Sequence, residues 1–425
     1  MSKLAVIKYS LYTHILDAIA SITNYLQRKG NRMSLMFIKK ALSKIHIYYY
    51  PIITSECAVK NGCIRRVIVN SDRTGYYSNL VFNNESKNLT LIPVHLEDIY
   101  MDELRDINIT GQSQFLYDSV EEVIINDFSL YYNEQLYENT DVVLRRQKGN
   151  SALLNTCLSK YDRYEPKGIM ISGIFAFNYY HTLFENYIKL LVVEEIDLPL
   201  DIPILVDANY QKYDSYRVIL KALNCSGRKI IPISYGEIVK VGRLYVISPI
   251  NQIPPQARDI MDTCPSDIAF DINYLKHLRN RLIVLKSDKN FSKKVFISRK
   301  GNSKRSWNEE EVFCYLRTRG FEEYSPQRMS FSEQISLFNG AEFIVASSGA
   351  ALSNLLFCDK GCKVLCVYSS KVNIPTFTTI AYMNEVYMKY VIGKPIKSSS
   401  VSNTHSNFVV DMKLFIDAYS NFASE

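Results

Sequence analysis

The chain has 425 residues, 47% of them hydrophobic and 22% charged. That is ordinary for a globular protein with sizeable cores, and the length suits two or three domains. The net charge is +7, and residues 1–50 account for all of it, with eight Lys or Arg against Asp17 alone. The remainder is balanced, which excludes a nucleic-acid-binding body.

No run is long and apolar enough for a transmembrane helix. Lys8, His14 and Asp17 interrupt the early apolar run, so no signal peptide is expected. The nine cysteines are an odd number without a Cys-x-x-Cys pair, which favours free thiols in a reducing compartment. Cys358, Cys362 and Cys366 are evenly spaced, but Cys366 falls in a predicted strand, so the three share no helix face and no metal site is assigned.

In residues 3–27, Leu4, Ile7, Leu11, Ile15, Ile19, Ile22 and Leu26 recur three or four apart, as on one face of a helix. Leu35, Ile38, Leu42 and Ile45 repeat the pattern after a break at 28–31. The expectation for 1–48 is a basic amphipathic hairpin. It either packs on the body of the protein or a second copy, or docks on an anionic membrane surface.

Residues 49–165 read as a β-rich segment, with strands predicted at 63–69, 89–93, 107–111 and 120–125. Residues 166–285 alternate strands (168–172, 202–206, 230–233, 243–248) with helices (178–193, 213–223, 274–285). Residues 286–400 alternate again, with strands at 295–299, 321–324, 343–346 and 363–368. Ser330 and Glu333 have the spacing of a capping box. Residues 401–425 are assigned to a C-terminal helix. Strands alternating with helices imply parallel sheets, so the fold class expected is α/β with two Rossmann-like domains facing a cleft.

Two groups fall at strand carboxyl ends in 286–400: Arg299, Lys300 and Lys304, and Ser347, Ser348, Gly349 and Ala350. Small residues leading into a helix let a phosphate approach free amides, and a guanidinium adds a bidentate contact. On spacing alone this is equally a tight turn beside a surface cation. His181 and Glu185 stand four apart near a helix start. They read either as a base with its orienting carboxylate or as a half-buried histidine in a local hydrogen bond.

Four segments in register resemble glycosyltransferase family 61. They are Asn178-Tyr-Tyr-His-Thr-Leu-Phe-Glu185, Phe296-Ile-Ser-Arg299, Met329-Ser-Phe-Ser-Glu-Gln334 and Ser348-Gly-Ala-Ala-Leu-Ser-Asn-Leu-Leu-Phe357. The resemblance runs over about residues 105–390. It implies a GT-B transferase that is inverting, needs no bound metal or other cofactor, and moves a sugar from a nucleotide sugar to a glycan or lipid-linked glycan. The absence of an Asp-x-Asp triplet agrees with that. Bacterial members serve capsular or surface polysaccharide assembly, which implies a cytoplasmic chain, peripheral at the inner face of the membrane.

On this resemblance His181 is the general base and Glu185 its orienter, with the reverse order open. Arg299, Lys300 and Lys304 then meet the diphosphate, as do the amides of 348–350, and Ser347, Ser348 and Asn354 line the donor pocket. The sequence departs from the family at Ser348, where the family has His, at Ala351, where it has Gly, and at Cys366, where it has Glu. Those departures suit the alternative, an inactive GT-B-like scaffold of a polysaccharide assembly complex.

Overall fold

A computed structural model describes residues 3–82, 89–128, 135–257, 263–301, 305–369, 374–396 and 407–425. The fold is mixed α/β, built on a large mixed sheet and a smaller parallel one.

The large sheet has 11 strands. One end is parallel, in the order Ile230–Ile233, Ile204–Asp207, Arg163–Ile171, Ile238–Ile247. Counted along the chain, these are the third, second, first and fourth strands of their group. Ile99–Thr110 continues the sheet, antiparallel to Ile238–Ile247, and leads on to the strands of the first third of the chain. One sheet therefore crosses the division expected at residue 165. Backbone donors along Ile238–Ile247 are satisfied by a strand from the preceding segment, and edge pairing of that kind leaves no composition signal.

The second sheet has five strands, all parallel, in the order Glu322–Tyr324, Lys294–Ile297, Phe343–Ser347, Lys363–Tyr368, Tyr387–Ile392. The order reverses between Lys294–Ile297 and Phe343–Ser347. The helix Phe331–Asn339 opens on the expected capping box of Ser330 and Glu333. The segment after Phe343–Ser347 is a 3-10 helix, Ala350–Phe357, rather than an α-helix. One apolar core joins the two sheets, running from Ile169 and Ile171 through Phe184, Leu191, Leu275 and Leu355 to Val295 and Ile344.

The N-terminal hairpin forms as Lys3–Arg28 and Arg32–Ser43. Its packed face carries Leu16, Ala20 and Leu42, set against Tyr49 and Leu153 of the large sheet. Much of the stripe read from the sequence faces the other way: Leu11 is 61% exposed, Ile15 49% and Ile22 52%. Periodicity locates an apolar stripe without saying what covers it.

Arg73 ties the first third of the chain to the middle. It is buried and donates to Asp271 Oδ2 at 2.9 Å and to the carbonyl of Glu97 at 2.8 Å. Asp271 Oδ1 meanwhile caps the helix Ile272–Ile283 through Asn273 N and Tyr274 N. Removing one member of such a pair strands the other charge, at a cost of about 3–5 kcal/mol. Arg73→Met is therefore expected to lower unfolding stability in urea by that amount, and a loss below about 1 kcal/mol would show that the pair stands in water.

Candidate functional site

In parallel α/β sheets ligands bind beyond the strand carboxyl ends, where the strand order reverses. Both sheets place chemistry at such a point.

In the five-stranded sheet, Arg299 follows Lys294–Ile297 and Ser348 follows Phe343–Ser347. Arg299 Nη1 donates to the Ser348 carbonyl at 3.0 Å, and Arg305 Nη1 donates to the same oxygen at 3.1 Å. Glu309, at the start of the helix Glu309–Arg317, accepts from the Arg299 amide and from Ser298 Oγ, which fixes the turn. A Cβ on Gly349 would collide with Arg299 Nη1, so only glycine admits the guanidinium there. Burial pulls the Arg299 pKa down to about 10, and the neighbouring Arg305 acts in the same direction against Glu309. Burial lowers Arg305 as well, and its Nε is buried without a hydrogen-bond partner. A bound anion would reverse both penalties. Ser347 Oγ is likewise buried without a partner.

The remaining donor-side candidates part company. The Ser348 amide donates to the Val367 carbonyl at 2.9 Å, so it is not available to a phosphate. Lys300 is paired with Glu310 at 2.8 Å and Glu323 at 3.0 Å. Ala350 opens the 3-10 helix. Lys304 lies outside the described residues. Asn354 is fully buried, and both ends of its amide are used. It lines no pocket.

In the large sheet the reversal falls between Arg163–Ile171 and Ile238–Ile247. A cavity of about 260 Å³ lies at their carboxyl ends, lined by Ser172, Gly173, Phe175, His181, Glu185 and Lys189 among others. Its lining does not include Arg299 or Ser348. His181 Nδ1 is bonded to Glu185 Oε1, which leaves Nε2 for another partner. The Phe175 ring lies 4.8 Å from the imidazole, on a backbone at φ 59 that a phenylalanine rarely adopts. Such backbone strain concentrates at binding and catalytic sites.

A π-helical turn, Thr182–Tyr187, presents the pair. Polar side chains support its loosened backbone: Asn251 Nδ2 donates to the Phe184 carbonyl at 3.0 Å, and Thr182 Oγ1 to that of Ala176 at 2.9 Å. Lys189 stands one turn beyond Glu185; burial pulls its pKa to about 8, with Glu185 opposing.

The two points are joined by side chains. Tyr179 Oη donates to Asn354 Oδ1 at 2.7 Å, Asn354 Nδ2 to Gln334 Oε1 at 3.0 Å, and Gln334 Nε2 to the Met329 carbonyl at 3.3 Å. The chain of bonds links three of the four segments singled out in the sequence.

The model of the family described as Glycosyltransferase 61 matches residues 179–365, from Tyr179 beside the histidine to the strand that carries Cys366. The chain carries a family 61 glycosyltransferase segment. No curated protein matches the chain. Sequence reasoning named the family's residues but did not find Ser172, Phe175 or Lys189. In the sequence Ser172 reads only as the last residue of the strand 168–172, and nothing there singles out Phe175 or Lys189.

If Asn354 holds family 61 motifs together rather than touching a donor, Asn354→Leu strands the Tyr179 hydroxyl and the Gln334 amide. Each unmade bond costs about 1–3 kcal/mol. Thermal unfolding should fall by several degrees. Nucleotide affinity of the protein that remains folded should change less than twofold. The opposite pattern would return Asn354 to the donor pocket.

Proposed function

We propose that the chain is an inverting, metal-independent glycosyltransferase of GT-B form. The large sheet would take the acceptor and the five-stranded sheet a nucleotide-sugar donor. The observation that carries this reading is the Tyr179–Asn354 bond, which holds the two strand-order reversals, one cationic and one bearing His181, in a fixed relation.

An acceptor hydroxyl attacks the anomeric carbon while the nucleoside diphosphate departs with its bonding electrons. His181 Nε2 takes the hydroxyl proton, and Glu185 on Nδ1 holds the ring and stabilises the imidazolium. Arg299 and Arg305 offset the charge gathering on the leaving diphosphate. Arg305 supplies the cation that Ser348 lacks relative to the family's histidine.

A hydrogen bond to a charged group contributes about 1.5–3 kcal/mol. Arg299→Ala and Arg305→Ala should each weaken nucleoside diphosphate binding roughly tenfold or more by calorimetry, and unchanged affinity in both would remove the donor site from this sheet. His181→Ala should cut turnover by about 10²–10⁴ while leaving donor affinity intact. Retained turnover would place the base elsewhere.

The hairpin supports a membrane-surface role. Met33 is 71% exposed, Met36 64% and Phe37 67%, beside exposed Arg28, Lys29, Arg32, Lys40 and Lys44. Apolar side chains among cations suit the headgroup region of an anionic bilayer. No described helix is long and apolar enough to cross one. The protein should sediment with phosphatidylserine vesicles and not with phosphatidylcholine vesicles, and Phe37→Glu with Met36→Glu should abolish this. Equal binding to both lipids, or none, would overturn the assignment.

A further inference from the structure

The cavity of the large sheet holds more chemistry than the His181–Glu185 pair uses. Ser172, one residue past Arg163–Ile171, is 6% exposed, and its Oγ is buried without a hydrogen-bond partner. A buried hydroxyl in that state gains from any ligand group able to pair with it. A sugar hydroxyl both donates and accepts, and the apolar ring of Phe175 lies in the same wall.

The charges of the wall are uneven. Among the described residues it carries Glu97, Asp98, Asp102, Asp127 and Glu185 against Arg73, His181 and Lys189. Asp102 is neutralised by Arg66, whose Nε and Nη2 each lie 2.7 Å from one of its oxygens. Arg73 is spent on Asp271. Lys189 feels Glu185 one turn before it. That leaves Asp98, the exposed Glu97 and Asp127, which Arg66 offsets only in part, as an excess of negative charge. Asp127 accepts one bond, from the Ser55 amide, and keeps its second oxygen toward no protein donor that is described.

We propose that this cavity binds the acceptor as an uncharged or amine-bearing saccharide and rejects saccharides that carry a carboxylate or phosphate beside the attacked hydroxyl. The inference rests on the transferase reading and deepens its acceptor half. An anionic sugar would meet like charges in a wall partly withdrawn from water, where repulsion is poorly screened. An ammonium would be drawn in. The Ser172 hydroxyl supplies a fixed polar contact and acts as a specificity residue.

The test uses the full-length protein without donor and ligand-observed NMR. The probes are methyl glycosides of glucose, galactose and mannose, their 2-amino forms and their uronates. At least one neutral or amino sugar is expected to bind, and its uronate at least tenfold more weakly. Ser172→Ala should weaken the bound sugar several-fold without changing nucleoside diphosphate affinity, and Asp98→Lys should admit the uronate. The second variant serves should the first fail to fold. Uronates binding as well as neutral sugars, a uronate still excluded by Asp98→Lys, or no sugar binding while nucleoside diphosphates bind would overturn the inference and leave the transferase reading standing. Sugar binding in the expected charge order, with no nucleotide binding by the unaltered protein, would overturn the transferase reading and leave the saccharide site.

Discussion

The side-chain amide of Asn354 is the contact on which the arrangement depends. It accepts from Tyr179 on one side and donates to Gln334 on the other, at 2.7 and 3.0 Å. A side-chain amide offers an acceptor and a donor from one short planar group without needing to change its charge. The residue is fully buried, so both bonds form in a low-dielectric setting where geometry is strongly enforced. The apolar core around it has no directional preference of its own. Direction comes from this amide, and with it the placing of the histidine helix against the turn that follows Phe343–Ser347.

Elements set by local physics were legible in the sequence. The Ser330–Glu333 capping box, the parallel alternation and most strands of the second sheet appear where patterning puts them. The His181–Glu185 contact was legible too, because four residues bring side chains together on any helix. Longer-range relations were not. Lys300 looked like a free cation because Glu310 and Glu323, which neutralise it, come from a different helix and strand. Asn354 was placed in the donor pocket by the family resemblance, and its bonds to Tyr179 and Gln334 come from segments distant in sequence. The Ser348 amide looked free because a ladder bond to Val367 depends on the next strand. The stripe on the N-terminal helix was real, but its orientation was set by Leu16 and Ala20 finding the large sheet.

Cys366 gives the cationic turn an uncharged neighbour. It is fully buried on Lys363–Tyr368, opposite Ala346. Burial raises its pKa while Arg305 and Arg299 pull it down, so the thiol stays protonated near neutrality. A carboxylate at this position would pair with the guanidiniums; a thiol leaves them without that internal counter-charge, and the pull on an external anion is correspondingly greater. Ser348 adds no charge of its own, so the cationic character of the turn rests on Arg299 and Arg305.

The π-turn at Thr182–Tyr187 has a consequence for how the chain tolerates shortening. A turn of this kind holds one residue more than its α-helical counterpart. Deleting a single residue there would let Lys189–Glu195 continue as regular helix, with its apolar face still seated in the core. Residues upstream would keep their facing, because the extra residue is taken up within the turn itself. A deletion between His181 and Glu185 would instead shorten the spacing of the pair from four residues to three. The turn is thus a place where the loss of one codon alters the His181–Glu185 pair and leaves the surrounding architecture seated.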